Sequence, residues 1–438
     1  MKAELKQFLL GSLALLVFLS AALAQEFFVH DGDRVVFLGD SITEQRLYTT
    51  YIEAYTLARH PEWKLSFRNV GWGGDTAWLR QRSHPDEKQL FAAEGSTLDR
   101  MVTDAVARGL GRDVLPLKPT VVTIKFGMND HSYQSFREDI FRAYARSQTE
   151  LAKVLEANGA RVALLTPQPI EEKRSDPDKD VRNLSLRKFS DGLKQIAEKE
   201  HALYVDQFDP YLAVMMKERA SDPAAFIGGG DAVHPGPIGH TVMAWAVLKG
   251  LGATAGVSKV KVDADAKSIT AEECRAENLK ISNGTVQFDR TDNALPMPID
   301  ERAETATKLA PVLDDLSRYE FQVTGLKEGN YNLKIDSEPA GTFTTAELAK
   351  GCNLTLKGGP VTKQARELLQ LVFKKNNSFF TRWRGVQLYE FPGWTQGLDV
   401  DGKRQAELAR LDKEVADLEA QIETVRKPRT HHFELTPQ

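Results

Sequence analysis

The first half of the chain alternates short apolar segments with longer segments whose apolar positions follow helical spacing. Apolar runs of about five residues bounded by turn residues are typical of buried strands, and the spaced pattern between them is typical of amphipathic helices. The predicted strands are 34–38, 65–70, 120–126, 161–165 and 202–205, and the predicted helices are 43–58, 136–157, 181–198 and one beginning near Pro237. This alternation predicts a mostly parallel sheet covered by helices on both faces, within a first domain spanning 25–254.

After residue 252 the pattern changes to short strands separated by polar turns. The predicted elements are strands 258–262, 279–282, 285–288, 319–323 and 331–335, a helix 363–375 and a strand 386–389. The polar segment 328–330 predicts a hairpin turn between two of these strands. We therefore expect a smaller β-rich or mixed accessory region over 255–398.

The last forty residues, 399–438, predict a helical tail. Apolar residues recur there at helical spacing, at Leu408, Leu411, Val415, Leu418 and Ile422. An amphipathic helix of this kind packs on its own chain or pairs with a second copy, so the oligomeric state stays open. The pair His431-His432 is expected in a frayed, solvated end, with weak metal binding as the alternative.

The first 24 residues have the features of a secretory signal peptide. Lys2 and Lys6 precede an apolar run over 8–19, and Ala22-Leu23-Ala24 supplies a small-x-small cleavage pattern before Gln25. An uncleaved anchor is the alternative, but the apolar run is short for crossing about 30 Å of hydrocarbon. We expect export to the periplasm or the medium, and no stable membrane insertion.

Composition narrows the classes of protein that fit. The chain is 42% hydrophobic and 27% charged, which is typical of a soluble globular protein. A net charge of −4 gives no basic surface for nucleic acid. The two cysteines, Cys274 and Cys352, either pair in an oxidising compartment or remain buried free thiols. The histidines show no zinc-ligand spacing, so we expect no metal.

Three unusual turns follow predicted strands, at the edge where parallel sheets bind ligands. Gly39-Asp40-Ser41 follows the first strand, a glycine-rich segment 71–74 follows the second, and Gly127-Met128-Asn129-Asp130 follows the third. Ser41 is therefore a candidate nucleophile, although a serine there could merely cap the next helix.

A candidate base lies further along the chain. Asp231-Ala232-Val233-His234 follows a glycine run 228–230 that is expected to be loose. A carboxylate three residues before a histidine can hold the imidazole in one tautomer, which leaves the other ring nitrogen free to take a proton from serine. The alternative is an aspartate that caps a turn beside a partly buried histidine. Such a mechanism requires no cofactor.

Candidate oxyanion donors complete the set. The backbone N–H of Ser41, that of one glycine among Gly71, Gly73 and Gly74, and the side-chain amide of Asn129 make three donors for a tetrahedral intermediate. Nearby aromatic residues either stack on sugar rings or belong to the core or rim; these are Trp72, Trp78 and Tyr133.

These segments resemble the conserved blocks of the SGNH, or GDSL, hydrolase family. The matching blocks are GDSIT at 39–43, the glycine of the GGDT turn at 74, GMND at 127–130 and DAVH at 231–234. The resemblance covers 34–252 and implies a flavodoxin-like three-layer α/β/α fold.

The resemblance also implies site roles. It assigns a catalytic set of Ser41, His234 and Asp231, and an oxyanion hole formed by Ser41, Gly74 and Asn129. An exported member with an appended β-rich region resembles bacterial carbohydrate esterases that remove acetyl groups from polysaccharides. Lipid ester or thioester hydrolysis and non-catalytic carbohydrate binding remain alternatives. Lys125, at the end of an apolar strand, has no explanation from the sequence.

Overall fold

The computed structural model describes residues 26–395 and 398–438, so the predicted signal peptide lies outside the described residues. Its first sheet has five parallel strands in the order β2-β1-β3-β4-β5. The strands are β1 (Arg34–Gly39), β2 (Ser66–Asn69), β3 (Val121–Lys125), β4 (Arg161–Leu165) and β5 (Leu203–Val205). This order is that of flavodoxin-like folds, so the predicted fold is confirmed.

Helices cover both faces of this sheet because alternate strand residues point to opposite sides. Val35 and Phe37 join the core under α2, α8 and α9, whereas Val36 and Leu38 join the core under α5, α6 and α7. The helices are α1 (Ser41–Glu44), α2 (Leu47–Arg59), α3 (Arg80–Ser83), α4 (Glu87–Ala92), α5 (Gly95–Asp113), α6 (Glu138–Ala157), α7 (Val181–Glu200), α8 (Phe208–Ser221) and α9 (Pro237–Gly250).

The helix predicted over 43–58 is two helices in the structure. The break falls at Arg46, whose φ of 61° is left-handed. Its guanidinium donates to the Glu44 carbonyl at 2.6 Å, which satisfies a group that the end of α1 leaves unpaired. The residues of α1 therefore form a separate helical turn that does not continue into α2. Helices α3, α4, α5 and α8 lie where no element is predicted.

The accessory region contributes two further sheets. One is mixed, in the order β13-β10-β6-β7, and the other is antiparallel, in the order β12-β11-β14-β9-β8. The strands are β6 (Gly256–Asp263), β7 (Ser268–Glu272), β8 (Cys274–Ser282), β9 (Thr285–Asp292), β10 (Arg318–Thr324), β11 (Asn330–Ile335), β12 (Glu338–Thr344), β13 (Cys352–Asn353) and β14 (Thr430–Pro437).

The hairpin predicted around 328–330 is wrong. The strands that flank it belong to different sheets, because β10 pairs with β6 and β13 whereas β11 pairs with β12 and β14. The hairpin lies one connection later, between β11 and β12. Its two linking residues, Asp336 and Ser337, have φ values of 49° and 69°. Two consecutive left-handed residues form the turn type that matches the twist of a two-residue hairpin.

Of the helices described after residue 300, the last two coincide with predicted helices and are longer than predicted, whereas the three shorter ones lie where none is predicted. In chain order these helices are α10 (Ala306–Leu309), α11 (Val312–Leu316), α12 (Thr345–Lys350), α13 (Gly359–Phe380) and α14 (Val400–Val425). Helix α13 continues directly into a π-helix, Thr381–Gln387, where a strand 386–389 is predicted; that strand is wrong.

The chain does not finish as a solvated tail. After α14 it returns as β14 between β11 and β9, near the centre of the antiparallel sheet, where Phe433 and Leu435 are fully buried. The frayed end expected for His431 and His432 is therefore wrong. His431 is buried, and its Nδ1 lies 2.6 Å from Asp336 Oδ2. Strand pairing fixes the two histidines.

The accessory region packs closely on the first sheet's helices. Helix α13 lies against α2, where Lys375 Nζ and Glu53 Oε1 form a buried ion pair at 2.6 Å. Cys274 and Cys352 are free thiols. Across 26–395 and 398–438, no helix is long and apolar enough to span a membrane.

Candidate active site

Ser41 is the first residue of α1, and one residue, Asp40, separates it from the end of β1. Asp40 is the N-cap, and its Oδ1 accepts the Ile42 N–H at 3.0 Å. The Glu44 N–H bonds to the Asp40 carbonyl at 2.9 Å, which closes the first turn. The nucleophile candidate is thereby fixed at the carboxyl edge of the sheet. Its Oγ lies 2.8 Å from His234 Nε2.

The loop that carries His234 is tight, so the expectation of a loose glycine run is wrong. A Cβ added to Gly230 would lie 2.0 Å from the His234 carbonyl oxygen, and the Asp231 N–H bonds to that oxygen at 3.1 Å. Glu171 fastens the start of the loop by accepting the Ile227 and Gly228 N–H groups at 2.8 and 2.7 Å. Glycine is present because backbone segments approach closely there.

Asp231 is bonded to both the loop and the imidazole. Its Oδ1 accepts the N–H groups of Val233 at 2.8 Å and His234 at 2.7 Å, and its Oδ2 lies 3.1 Å from His234 Nδ1. Slight burial would raise the pKa of Asp231, but the bonds from the His234 and Val233 N–H groups outweigh it and lower the pKa. An ionised carboxylate here accepts Nδ1–H and leaves Nε2 free for Ser41.

The turn that carries Gly74 is held by neighbouring side chains. Gly74 has a φ of +75°, a left-handed conformation that glycine adopts without strain, and Arg80 Nε donates to its carbonyl at 2.7 Å. Asp75 forms a buried ion pair with Arg82. The Trp72 N–H bonds to the Gly39 carbonyl at 2.9 Å, which joins this turn to the one preceding Ser41.

Asn129 is joined to the same turn. Its Nδ2 donates to the Asp75 carbonyl at 2.9 Å, and its Oδ1 accepts the Tyr133 hydroxyl at 3.0 Å. These two bonds fix the orientation of the amide. A side-chain amide has two N–H donors, so one remains for an oxyanion. The structure thus links the elements carrying Ser41, Gly74 and Asn129.

Asp130 lies fully buried behind Asn129. Its Oδ1 accepts the Ala77 N–H at 2.8 Å and its Oδ2 accepts the Gly127 N–H at 2.9 Å. Burial raises the pKa of Asp130 to about 7, and the nearby Asp40 carboxylate adds to this effect. One side chain, that of Asp130, therefore joins the turn of Gly74 to the turn of Asn129.

The flanking aromatic residues have different roles. Trp72 and Trp78 are only 6% and 1% exposed, so stacking on a sugar is excluded for both. Tyr133 is 41% exposed, at a φ of 54°, and its hydroxyl orients Asn129. The positioning roles of Tyr133 and Glu171 are absent from the sequence prediction, because no local pattern marks either residue.

The side-chain geometry is that of a serine hydrolase. Oγ can lose its proton to Nε2, and the resulting imidazolium faces a carboxylate, which is the arrangement that nucleophilic serine catalysis requires. In the part of the chain that the structure describes, no group of three or more His, Cys, Asp or Glu side chains could hold a metal ion.

Comparisons with known proteins bear on this arrangement. The model of the GDSL-like lipase/acylhydrolase family matches residues 37–242, which include every candidate site residue. An acetylxylan esterase from Geobacillus stearothermophilus is 27% identical over 239 residues, or 51% of this chain and 96% of that protein. The crystal structure of an acetylxylan esterase from the same organism is 24% identical, with the same 51% and 96% coverage and a TM-score of 0.38.

A solved structure also matches most of the chain. A gut microbial diltiazem-metabolizing enzyme is 24% identical, with a TM-score of 0.76, and the match covers 94% of this chain and 98% of that one. The likeness shows that the same fold extends through the accessory region. The family match and the sequence similarity to the acetylxylan esterase place residues 37–242 in the SGNH/GDSL hydrolase family, and they identify the chain as a carboxylic ester hydrolase.

Proposed function

We propose that this esterase works through a covalent acyl-enzyme on Ser41. The observation that carries the proposal is the continuous hydrogen-bonded series from Ser41 Oγ to His234 Nε2, at 2.8 Å, and from His234 Nδ1 to Asp231 Oδ2, at 3.1 Å. His234 takes the serine proton as Oγ attacks the ester carbonyl. The oxyanion binds to the N–H groups of Ser41 and Gly74 and to the Asn129 amide.

Release of the alcohol and hydrolysis of the acyl-enzyme use the same groups. The His234 imidazolium gives its proton to the departing alcohol, and the neutral imidazole then removes a proton from water. That water attacks the acyl carbonyl, and the Ser41 oxygen leaves with the proton returned from His234. Every C–O bond made and broken lies on the acyl carbon, the remaining steps are proton transfers through His234, and no cofactor takes part.

For the substrate we propose short acyl esters of carbohydrates, with acetyl groups on polysaccharide as the leading class. Two observations support it. The relative from Geobacillus stearothermophilus is an acetylxylan esterase. In addition, the triad is open to solvent, with side-chain exposures of 36% for His234 and 67% for Asp231. An open site admits a bulky polymer, whereas an enclosed apolar cleft would suit a lipid chain.

We also propose that the protein is exported. The support is the sequence of the first 24 residues alone, with its basic start, apolar run and small-x-small pattern. Cell fractionation followed by N-terminal sequencing of the mature protein tests this. Recovery outside the cytoplasm with Gln25 first is expected, and a full-length cytoplasmic product would contradict it.

The test of function compares wild type with Ser41→Ala on p-nitrophenyl acetate, p-nitrophenyl octanoate and acetylated xylan. We expect acetate preference, release of acetate from xylan, and loss of all three activities in Ser41→Ala. Octanoate preference would retain the mechanism but replace the substrate class with lipids. Undiminished activity of Ser41→Ala would overturn the mechanism itself.

A further inference from the structure

Lys125 ends β3 beneath the active site, and the mechanism above gives it no role. It is in register with Gly39 of β1, and its side chain is completely buried. Its Nζ has no hydrogen-bond partner among the described residues, while Asp40 Oδ1 lies 3.9 Å away. Lysine is almost never fully buried without a paired charge, so this position requires a physical explanation.

Two buried carboxylates lie near this ammonium. Asp40 caps the helix that begins at Ser41, and Asp130 binds the Ala77 and Gly127 N–H groups. Burial lowers the pKa of Lys125, while the charges of both aspartates act in the opposite direction and favour the ammonium form. Like charges buried together repel strongly in a low-dielectric interior. An ammonium close to both aspartates reduces this repulsion.

We propose that Lys125 is a positioning residue for ester hydrolysis, whose ammonium links the carboxylate capping the nucleophile helix to the carboxylate joining the two oxyanion turns. The proposal rests on the roles proposed above for Ser41, Gly74 and Asn129. Without the cation, repulsion separates Asp40 from Asp130, and the nucleophile turn shifts relative to the oxyanion donors. A displacement of about 1 Å in a catalytic group costs on the order of 10²-fold in rate.

The test replaces the ammonium with an apolar side chain of similar length, Lys125→Met. A matched control is Lys375→Met, because Lys375 is also fully buried and has a carboxylate partner, Glu53, at 2.6 Å. Lys375 lies where α13 packs on α2, and it also donates to the Phe67 carbonyl. The two variants thus make the same chemical change in the core, only one of them beside the site.

Both variants are measured for kcat and KM on p-nitrophenyl acetate, for the rate of inactivation by phenylmethylsulfonyl fluoride, and for Tm. We expect Lys125→Met to lower kcat and the inactivation rate by about 10–10²-fold with KM unchanged. We expect Lys375→Met to lower Tm while keeping kcat near wild type. If Lys125→Met keeps wild-type kcat, or loses no more than Lys375→Met at an equal fall in Tm, the inference is overturned.

A double variant covers the case in which Lys125→Met does not fold. Asn keeps the N-cap bond to Ile42, so Asp40→Asn combined with Lys125→Met removes one carboxylate along with the cation. We expect the double variant to fold and to keep part of the wild-type kcat, and a double variant that does not fold, or that folds without activity, would overturn the inference. Ser41→Ala is assayed in parallel. If Ser41→Ala keeps its activity, the proposed function fails. If Ser41→Ala is inactive while Lys125→Met keeps wild-type kcat, only the inference about Lys125 fails.

Discussion

The role of Asp231 can be tested by comparing two substitutions that remove its charge in different ways. Its Oδ1 is held by the N–H groups of Val233 and His234, and its Oδ2 faces His234 Nδ1. In Asp231→Asn the amide oxygen keeps the two backbone donors, so the NH2 group is directed at Nδ1. Nδ1 must then be the acceptor, and the proton moves to Nε2, opposite Ser41. The variant therefore keeps the loop and has the wrong tautomer.

The size of the effect follows from the exposure of the pair. In a triad with a buried aspartate the wrong tautomer costs about 10⁴-fold in kcat. The Asp231 side chain is 67% exposed, so water competes for Nδ1 and relieves part of the constraint. We expect a loss of about 10²–10³-fold, which corresponds to roughly 2.7–4 kcal/mol of transition-state free energy. In Asp231→Ala water can accept Nδ1–H, so we expect only about 10–10²-fold.

The order of the two variants in stability is the reverse of their order in kcat. Alanine leaves the Val233 and His234 N–H groups without a side-chain acceptor, whereas the amide oxygen of asparagine still accepts from both. We therefore expect Asp231→Ala to have the lower Tm and the higher kcat. The assay is hydrolysis of p-nitrophenyl acetate at pH 8 with Tm measured on the same samples. An Asn variant at wild-type kcat, or an Ala variant slower than the Asn variant, would refute this reasoning.

The remaining predictions concern the oxyanion hole and the buried histidines. Asn129→Ala should lower kcat on p-nitrophenyl acetate by about 10²–10³-fold at constant KM, and a change confined to KM would contradict its role. Tyr133→Phe, which frees the Asn129 amide to rotate, should lower kcat by roughly three- to tenfold, and an unchanged kcat would show that the hydroxyl is dispensable.

Burial lowers the pKa of His240 to about 3 and that of His131 to about 4. The unfolded chain therefore takes up protons below about pH 6.5 that the folded chain does not. Urea unfolding should show a free energy about 2–5 kcal/mol lower at pH 4.5 than at pH 7, and a smaller difference in His240→Asn. An equal difference in both proteins would contradict this.

The features of the fold that could be predicted are those carried by short-range patterns. The alternation of apolar strands and amphipathic helices is sufficient for a parallel sheet, and the handedness of its connections limits the strand order. Ser41 and His234 are 193 positions apart, yet both lie next to the ends of elements at the same edge of the sheet. Their motifs could therefore be combined without any knowledge of the contacts between them.

The features that could not be predicted depend on contacts between distant segments. The strand Thr430–Pro437 has few apolar residues, and only its neighbours from 285–292 and 330–335 make it a strand. In the site, Glu171 and Tyr133 act through hydrogen bonds to Gly228 and Asn129, and neither contact leaves a trace in the local sequence. Polar residues that position other side chains therefore cannot be identified until the tertiary contacts are known.

The accessory region also reaches the back of the oxyanion turn. Arg384, from the π-helix, places its guanidinium carbon 3.7 Å from the centre of the Trp72 ring, and Trp383 packs edge-on against the same ring at 5.9 Å. On the other side, burial raises the pKa of Glu44, and the charge of Arg384 and the backbone N–H of Gly73 act in the opposite direction. A π-helical segment of this kind often occurs at functional sites. The Gly74 turn is thus packed between the two halves of the chain, so the accessory region stabilises the turn that carries a candidate oxyanion donor.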